Sequence, residues 1–375
     1  MLRIHSNTIT KGYATVAVSN NKLHTLMKQL PETADAAVIV SRPNRLYYLG
    51  FDSHDAGLLF VTRDAAYFII DFRYIETARE SVCGADVILQ DDIYAQVRKL
   101  CERHGIKAAV IETSYLTLRE AERIKRMLFD ASLVKNNALD ELILNQRAVK
   151  DADEIAKLKE AQRLTDETFS YILPRITAGK TEREIALDME FFMRGQGAQS
   201  VSFDFIVVSG KNSSLPHGVP TDTMLKHGDF ITMDFGAVVD GYHSDMTRTV
   251  ALGAASDEQR RVYETVLTAQ KAVLKQVKAG VNCAAMDKIA RDIIYNAGYE
   301  GCFGHGLGHS VGIEIHERPR FAPTCNEPAP AGTVMTIEPG IYLEGRFGVR
   351  IEDFGVVTQQ GFENFTRSPK ELIVL

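Results

Sequence analysis

The chain has 375 residues, 45% hydrophobic and 25% charged, with 43 basic against 49 acidic side chains for a formal net charge of −6. These are the proportions of an ordinary soluble globular protein, and the acidic balance argues against nucleic acid or an anionic membrane as partner. The length exceeds what one core usually serves and predicts two domains.

No apolar run approaches the roughly 20 residues a membrane helix needs, and the N-terminal MLRIHSNTITKGYATVAVS lacks the charged and apolar segments of a signal peptide. Cys83, Cys101, Cys283, Cys302 and Cys325 are scattered with no CxxC, which fits a reducing cytoplasm better than a disulfide framework.

Up to about residue 135, strand-like and helix-like segments alternate. AAVIVS (36–41), GLLFVT (57–62), AYFIID (66–71) and KAAVIET (107–113) read as strands, rich in β-branched and aromatic residues. FRYIETARES, AQVRKLCERHG and TLREAERIKRML read as helices. Together they predict a small α/β unit with its own core. It has no Gly-rich phosphate loop, so a nucleotide-binding fold is not indicated. A long helical stretch follows, broken near Val149–Lys150. Asp151 with Glu154, Thr181 with Glu184 and Ser256 with Gln259 are capping boxes that predict three helix starts. A further helix, AAMDKIARDIIYNAG, is closed by Gly298. No repeat or low-complexity linker interrupts the chain.

The strand-rich stretches among and after these helices carry acids spaced like the ligand set of a two-metal hydrolase. Asp234 and Asp245 flank Asp240-Gly241, a two-residue hairpin signal. With that dipeptide as the turn, Asp234 faces Thr247 and Asp245 faces Gly236, so both carboxylates project from one side as diagonal neighbours. An exposed polar face on an edge hairpin is the alternative. Glu338 and Glu352 flank Glu344-Gly345-Arg346. A three-residue loop there sets the two glutamates directly opposite each other, which destabilises a hairpin unless something positive lies between. A bridged metal pair supplies that charge, and Arg350, two residues from Glu352, could supply it instead. His309 is the fifth candidate. In GHGLGHSVG, His305 and His309 have a helical spacing, but Gly304, Gly306 and Gly308 argue against a helix and there is no HExxH. Buried together, four carboxylates repel one another and resist desolvation, and two divalent cations relieve both problems. Carboxylates with a single imidazole suit Mn²⁺, Co²⁺, Fe²⁺ or Zn²⁺, and such a pair supports metal-assisted hydrolysis.

SSLPHGVP, MDFGAVVDGYHSDMTRT, FGHGLGHSVGIEIHE, TIEPGIY and GVRIED, in this order over roughly residues 200–355, resemble the pita-bread metallopeptidases of family M24, in the branch of aminopeptidase P and prolidase. The resemblance implies a creatinase-like α/β N-terminal domain over residues 1–138 and an α+β pita-bread catalytic domain over residues 139–375. It implies two divalent ions per chain, manganese first. Asp234, Asp245, His309, Glu338 and Glu352 would be the ligands, with Asp245 and Glu352 bridging and Glu338 also accepting a proton from the bridging water. His217 and His316 would face the scissile carbonyl, His305 would line the proline pocket, and Tyr342 and Arg350 would orient the carboxylates. Arg320, four residues after His316, matches an arginine with which prolidases clamp a dipeptide's carboxylate.

The reaction so implied is hydrolysis of the bond before proline in short peptides, by a cytoplasmic homodimer with no nucleic-acid or membrane partner. Xaa-Pro dipeptidase is the first expectation and Xaa-Pro aminopeptidase, acting on longer peptides, the second. The rivals are a metal-free creatinase-like amidinohydrolase, a methionine aminopeptidase and a non-catalytic peptide binder on the same fold. Retention of all five ligand positions speaks against the first and third, and the N-terminal domain against the second.

Overall fold

A computed structural model describes residues 21–375, and the N-terminal segment read above for a signal peptide lies outside them. The chain divides into two compact units between Asp140 and Glu141. The first runs α1 (Asn21–Gln29), β1 (Ala36–Ile39), α2 (Arg42–Leu49), β2 (Leu58–Thr62), β3 (Ala66–Ile70), α3 (Ile75–Ser81), β4 (Asp86–Leu89), α4 (Ile93–His104), β5 (Ala108–Ile111), α5 (Leu118–Leu128) and β6 (Ser132–Val134). Every strand and helix read from the sequence in this region is present. The short elements α1, α2, β4 and β6 are additional. Pro43 is tolerated in the first turn of α2, where its missing N–H is not needed. The strands form one sheet in the order β4-β3-β2-β1-β5-β6. β1, β2 and β3 are buried at every position, as expected of strands covered on both faces.

The division falls within α6 (Ala138–Ala148), and α7 (Ala152–Ile172) follows after the predicted break at Val149–Lys150. The remaining elements of the second unit are α8 (Glu182–Gly195), β7 (Ser200–Val201), β8 (Ile206–Ser209), β9 (Phe230–Phe235), β10 (Ala237–Val239), β11 (Tyr242–His243), β12 (Met246–Ala251), α9 (Asp257–Leu274), α10 (Cys283–Asn296), β13 (Gly308–Ser310), β14 (Glu317–Phe321), β15 (Val334–Ile337), β16 (Gly340–Leu343), β17 (Phe347–Arg350), β18 (Asp353–Val357) and β19 (Phe362–Asn364). All three capping boxes form, at the starts of α7, α8 and α9. Gly298 takes φ +91° just past α10.

β8, β9 and β12 make a three-stranded sheet with α7 and α8 packed on one face. Alternation along β9 explains the layering. Ile231, Met233 and Phe235 join a core with α7 and α8. Phe230, of opposite parity, joins a second core with α9 and α10. Asp234 shares the parity of Phe230, so its carboxylate is kept out of the α7–α8 core. A five-stranded sheet, β14-β13-β15-β18-β19, and the hairpin β16–β17 complete the unit.

Both hairpins adopt the registers their turns dictate. Asp240 and Gly241 have φ +48° and +78°, the paired positive angles of a type I′ turn. Val239 then pairs with Tyr242, and Asp234 with Thr247. Around Glu344-Gly345-Arg346, Leu343 pairs with Phe347 and Gly340 with Arg350. The same register resumes between β15 and β18, where Ile337 pairs with Asp353. Glu338 and Glu352 are bracketed between these ladders and so stand opposite each other. Between the two ladders, Ile351 N donates to Pro339 O at 3.4 Å. Glu338 N donates to Leu307 O at 2.8 Å and Glu352 N to Thr247 O at 3.1 Å, which draws the segment before β13 and strand β12 to the same place.

Candidate active site

A cavity of about 630 Å³ opens at this convergence. Ten of the eleven residues singled out in the sequence line it: His217, Asp234, Asp245, His305, His309, His316, Arg320, Glu338, Arg350 and Glu352. Tyr342 lies behind them, bonded to His305 and Arg350.

At the deep end, Asp245, His309 and Glu352 are 4%, 9% and 1% exposed. Each offers a ligand atom within 4.8 Å of the others. His309 Nε2 lies 3.5 Å from Asp245 Oδ2 and 3.4 Å from Glu338 Oε1. His309 Nδ1 is 3.2 Å from its neighbour's carbonyl, Ser310 O. A proton on Nδ1 shared with that carbonyl leaves the Nε2 lone pair facing the acids. Burial, then the adjacent His316 ring, holds His309 down at about 3, so the imidazole is neutral at physiological pH.

The carboxylates are displaced in the other direction. Burial pushes Asp245 well up, and the charges of Glu352, Asp234 and Glu338 add to it. Burial raises Glu352, with Glu338 and Asp234 next. Glu338 is pushed up to about 8, again chiefly by burial. Two oxygens have no hydrogen-bond partner although both are buried, Asp234 Oδ1 and Glu352 Oε1. Orphaned acceptors among mutually repelling acids, beside a lone pair, are the donor set a hard or borderline divalent cation takes. The residues fit such ions, and the cation charge would remove the penalty of burying the acids together.

Arg350 braces one side of this cluster. Its guanidinium donates to Asp234 Oδ2 at 2.6 Å, Thr247 Oγ1 at 3.0 Å, Tyr342 Oη at 2.8 Å and Pro216 O at 3.2 Å. Tyr342 Oη in turn lies 2.9 Å from His305 Nε2. Burial and then Arg350 hold His305 down at about 4. The positive charge that the sequence left as an alternative to metal is therefore present, but it reaches only one oxygen of Asp234 among the acids. His217 and His316 occupy the exposed side of the cavity. The His316 ring meets His309 edge to face at 4.3 Å.

Three supports were not read from the sequence. Thr247 Oγ1 donates to Glu352 Oε2 at 2.7 Å. Thr336 Oγ1 donates to Glu338 Oε1 at 3.2 Å and accepts from His309 N at 3.0 Å. Glu317 is buried against Arg147 and Lys150, the lysine at 3.0 Å. The threonines had a signal, since each lies two residues from a carboxylate on the same strand face. Glu317 had none, because its partners lie 170 and 167 residues away in the chain.

The profile of metallopeptidase family M24 matches residues 156–359, and that of the creatinase/prolidase N-terminal domain matches residues 21–149. The chain belongs to metallopeptidase family M24. The solved structure of Xaa-Pro dipeptidase from Bacillus anthracis superposes with a TM-score of 0.89 at 39% identity, covering 95% of this chain and 98% of that one. X-Pro aminopeptidase from Thermotoga maritima superposes at 0.87 with 36% identity, covering 95% and 99%. The Xaa-Pro dipeptidase of Pyrococcus furiosus is 34% identical, covering 94% of this chain and 99% of that protein. The fold is accordingly the creatinase N-terminal domain joined to a pita-bread catalytic domain, and the chain is a prolidase-like M24 metallopeptidase. M24 membership implies divalent metal binding. Among the described residues, no helix is long and apolar enough to cross a membrane.

Proposed function

We propose that this M24 peptidase cleaves the bond before proline in short peptides, Xaa-Pro dipeptides foremost. Asp234, Asp245, His309, Glu338 and Glu352 would hold two divalent ions. The observation that carries the proposal is the convergence of four carboxylates and a neutral imidazole at the floor of one cavity, with Asp234 Oδ1 and Glu352 Oε1 left unpartnered. When bound, the ions supply an acidified water and polarise the scissile carbonyl.

The chain's own residues supply the rest. Glu338, whose carboxyl is raised to about 8 without the ions, accepts the water's proton once their charge keeps it ionised. His217 and His316, at the exposed side of the cavity, donate to the carbonyl oxygen as it gains charge. His305, held neutral by burial and fixed through Tyr342, walls the site for the proline ring. Proline's nitrogen has no N–H to satisfy, so an apolar wall suits it. The Arg320 guanidinium pairs with the free carboxylate of a dipeptide.

Mn²⁺ is the first choice for so oxygen-rich a set. A homodimer in a reducing cytoplasm completes the reading, in keeping with cysteines scattered along the chain with no CxxC. The Thermotoga aminopeptidase, almost as similar as the Bacillus dipeptidase, supports Xaa-Pro aminopeptidase as the second reading. The decisive assay offers Mn²⁺-loaded protein Ala-Pro, Ala-Pro-Ala and Ala-Ala. Ala-Pro should be cleaved fastest and Ala-Ala hardly at all. Cleavage of Ala-Ala at the rate of Ala-Pro would remove the proline specificity.

A further inference from the structure

Helix α10 carries a charged pair that the proposed reaction does not use. Its buried face is formed by Cys283, Met286, Ala290 and Ile294, and Asp287 lies on that same face, 1% exposed. A carboxylate in such surroundings needs its oxygens bonded. Arg291, one turn further on, supplies two of the bonds: Nε donates to Asp287 Oδ2 at 2.8 Å and Nη2 to Oδ1 at 3.0 Å. Leu307 N supplies another, to Oδ1 at 3.0 Å.

The pair also reaches out of the helix. Arg291 Nη1 donates to Phe303 O at 2.7 Å and Nη2 to His305 O at 2.8 Å, with the guanidinium 4.4 Å from the centre of the Phe303 ring. Residues 303–307 run between α10 and β13 with no helix or strand of their own, and Gly304 and Gly306 leave the backbone there with little restriction. The shape of the segment is therefore set by its bonds to neighbours. Besides those to α10, Tyr342 N donates to Cys302 O at 2.9 Å and Glu338 N to Leu307 O at 2.8 Å. The segment lines the catalytic cavity through His305 and Gly306. Tyr342 Oη holds the tip of the His305 ring at 2.9 Å, and Arg291 holds the backbone from which that ring springs. Neither Asp287 nor Arg291 lines the cavity.

We infer that Arg291, oriented by Asp287, is a positioning residue for the peptidase: it fixes the carbonyls on either side of Gly304 and so sets the His305 ring as the wall for proline. The inference rests on the peptidase reading above, which gives His305 that wall. Contact between the wall and the proline ring is made alike before and during reaction, so displacing the wall raises KM and leaves kcat in place. The flat guanidinium is essential to the role. Its fork spans a carboxylate and two carbonyls at once, which the compact ammonium of a lysine does not reproduce. Charge alone is therefore not what Arg291 contributes.

The test compares Arg291→Lys and Arg291→Gln with Lys288→Gln in Mn²⁺-loaded protein, and thermal melting verifies that each folds. Lys288 forms the same kind of four-residue ion pair on α10, with Asp292 at 2.8 Å, but on the exposed side of the helix. Both Arg291 variants should raise KM for Ala-Pro about tenfold, the equivalent of about 1.4 kcal/mol, with kcat within about twofold of the parent. Lys288→Gln should change neither constant by more than about twofold. A variant that merely lost folded enzyme would lower kcat at unchanged KM, the opposite pattern. Hydrogen exchange followed by mass spectrometry supplies a readout free of turnover: amides in residues 302–308 should exchange at least tenfold faster in the Arg291 variants and at the parental rate in Lys288→Gln. A parental KM in Arg291→Lys, a loss confined to kcat, or unaltered exchange in that segment would overturn the inference. If exchange quickens as expected but the loaded parent cleaves no Xaa-Pro peptide, the clamp on the segment stands and the proposed reaction falls.

Discussion

The two oxygens of Asp234 have opposite surroundings. Oδ2 accepts from Arg350 at 2.6 Å, while Oδ1 is buried with no partner. Glu352 repeats the division, with Oε2 bound by Thr247 and Oε1 unpartnered. Protein donors thus orient each carboxylate through one oxygen and leave the other for a ligand, the arrangement by which supporting hydrogen bonds fix metal-binding groups. Glu338 is the residue where structure and catalysis separate most cleanly. Its one side-chain donor is Thr336 at 3.2 Å, and it adds a like charge to a crowded cluster. Glu338→Ala should therefore leave the metal-free fold at least as stable as the parent. It should cut kcat/KM on Ala-Pro by 10²-fold or more, about the contribution of a positioned general base. Melting curves and steady-state kinetics on the same preparation measure both. Hydrolysis at the parental rate would dismiss the assigned role. All five candidate ligands were readable from the sequence because each sits in a short run of residues with a clear turn or glycine signal. Thr247 and Thr336 were readable in principle, being two positions from Asp245 and Glu338, but a hydroxyl on a strand face is too common a feature to stand out.

At the scale of elements, two turns account for most of the site. The Asp-Gly dipeptide at 240–241 demands positive φ at both positions and so fixes the pairing of β9 with β12. The Glu-Gly-Arg loop does the same for β16 and β17, and its register persists across the gap into β15 and β18. Turn chemistry is local, so these alignments could be derived before any coordinates. The seating of β13 and β14 could not, because it depends on distant partners. Glu317, at the start of β14, is held by Arg147 and Lys150, and Lys150 also donates to Ser310 on β13 at 3.0 Å. Burial alone would raise the Glu317 carboxyl, yet Lys150 and Arg147 outweigh it and hold the group at about 2 against an ordinary 4.5. A carboxyl depressed on folding stabilises above its unfolded value and loses that contribution as pH falls through the folded one. The window here is pH 4.5 down to about 2. Glu317→Gln should cost about 3 kcal/mol at neutral pH, since it leaves buried cations short of their counter-charge. It should also flatten the decline in stability across that acid window. Urea titrations at a series of pH values compare the two slopes. Parallel curves for parent and variant would refute the account of β14 as anchored by this ion cluster.

At the scale of the whole chain, the two units differ in what holds them together. The N-terminal unit is closed by a core of its own apolar residues. The catalytic unit has two such cores, but where its hairpins meet it buries Asp245, Glu338 and Glu352 with their pKa values raised. That region is the weak point of the metal-free fold. The ligand candidates span residues 234 to 352 and come from both hairpins and β13. Ions bound there would tie together segments that the carboxylates otherwise push apart. Anything that binds only the folded state stabilises it by mass action, about 2.7 kcal/mol at a hundredfold excess over Kd. For a unit the size of Glu141–Leu375, that corresponds to a rise of about 5–10 °C in melting temperature. Calorimetry with excess Mn²⁺ and after chelation should show that difference. In Asp245→Asn, which removes a candidate ligand along with part of the repulsion, the metal-dependent rise should shrink while the metal-free midpoint holds or climbs. A melting curve that ignores both Mn²⁺ and chelator would mean that the acids are reconciled in another way, with protons shared between raised carboxyls. In that case the hydrolytic proposal would lose its physical basis.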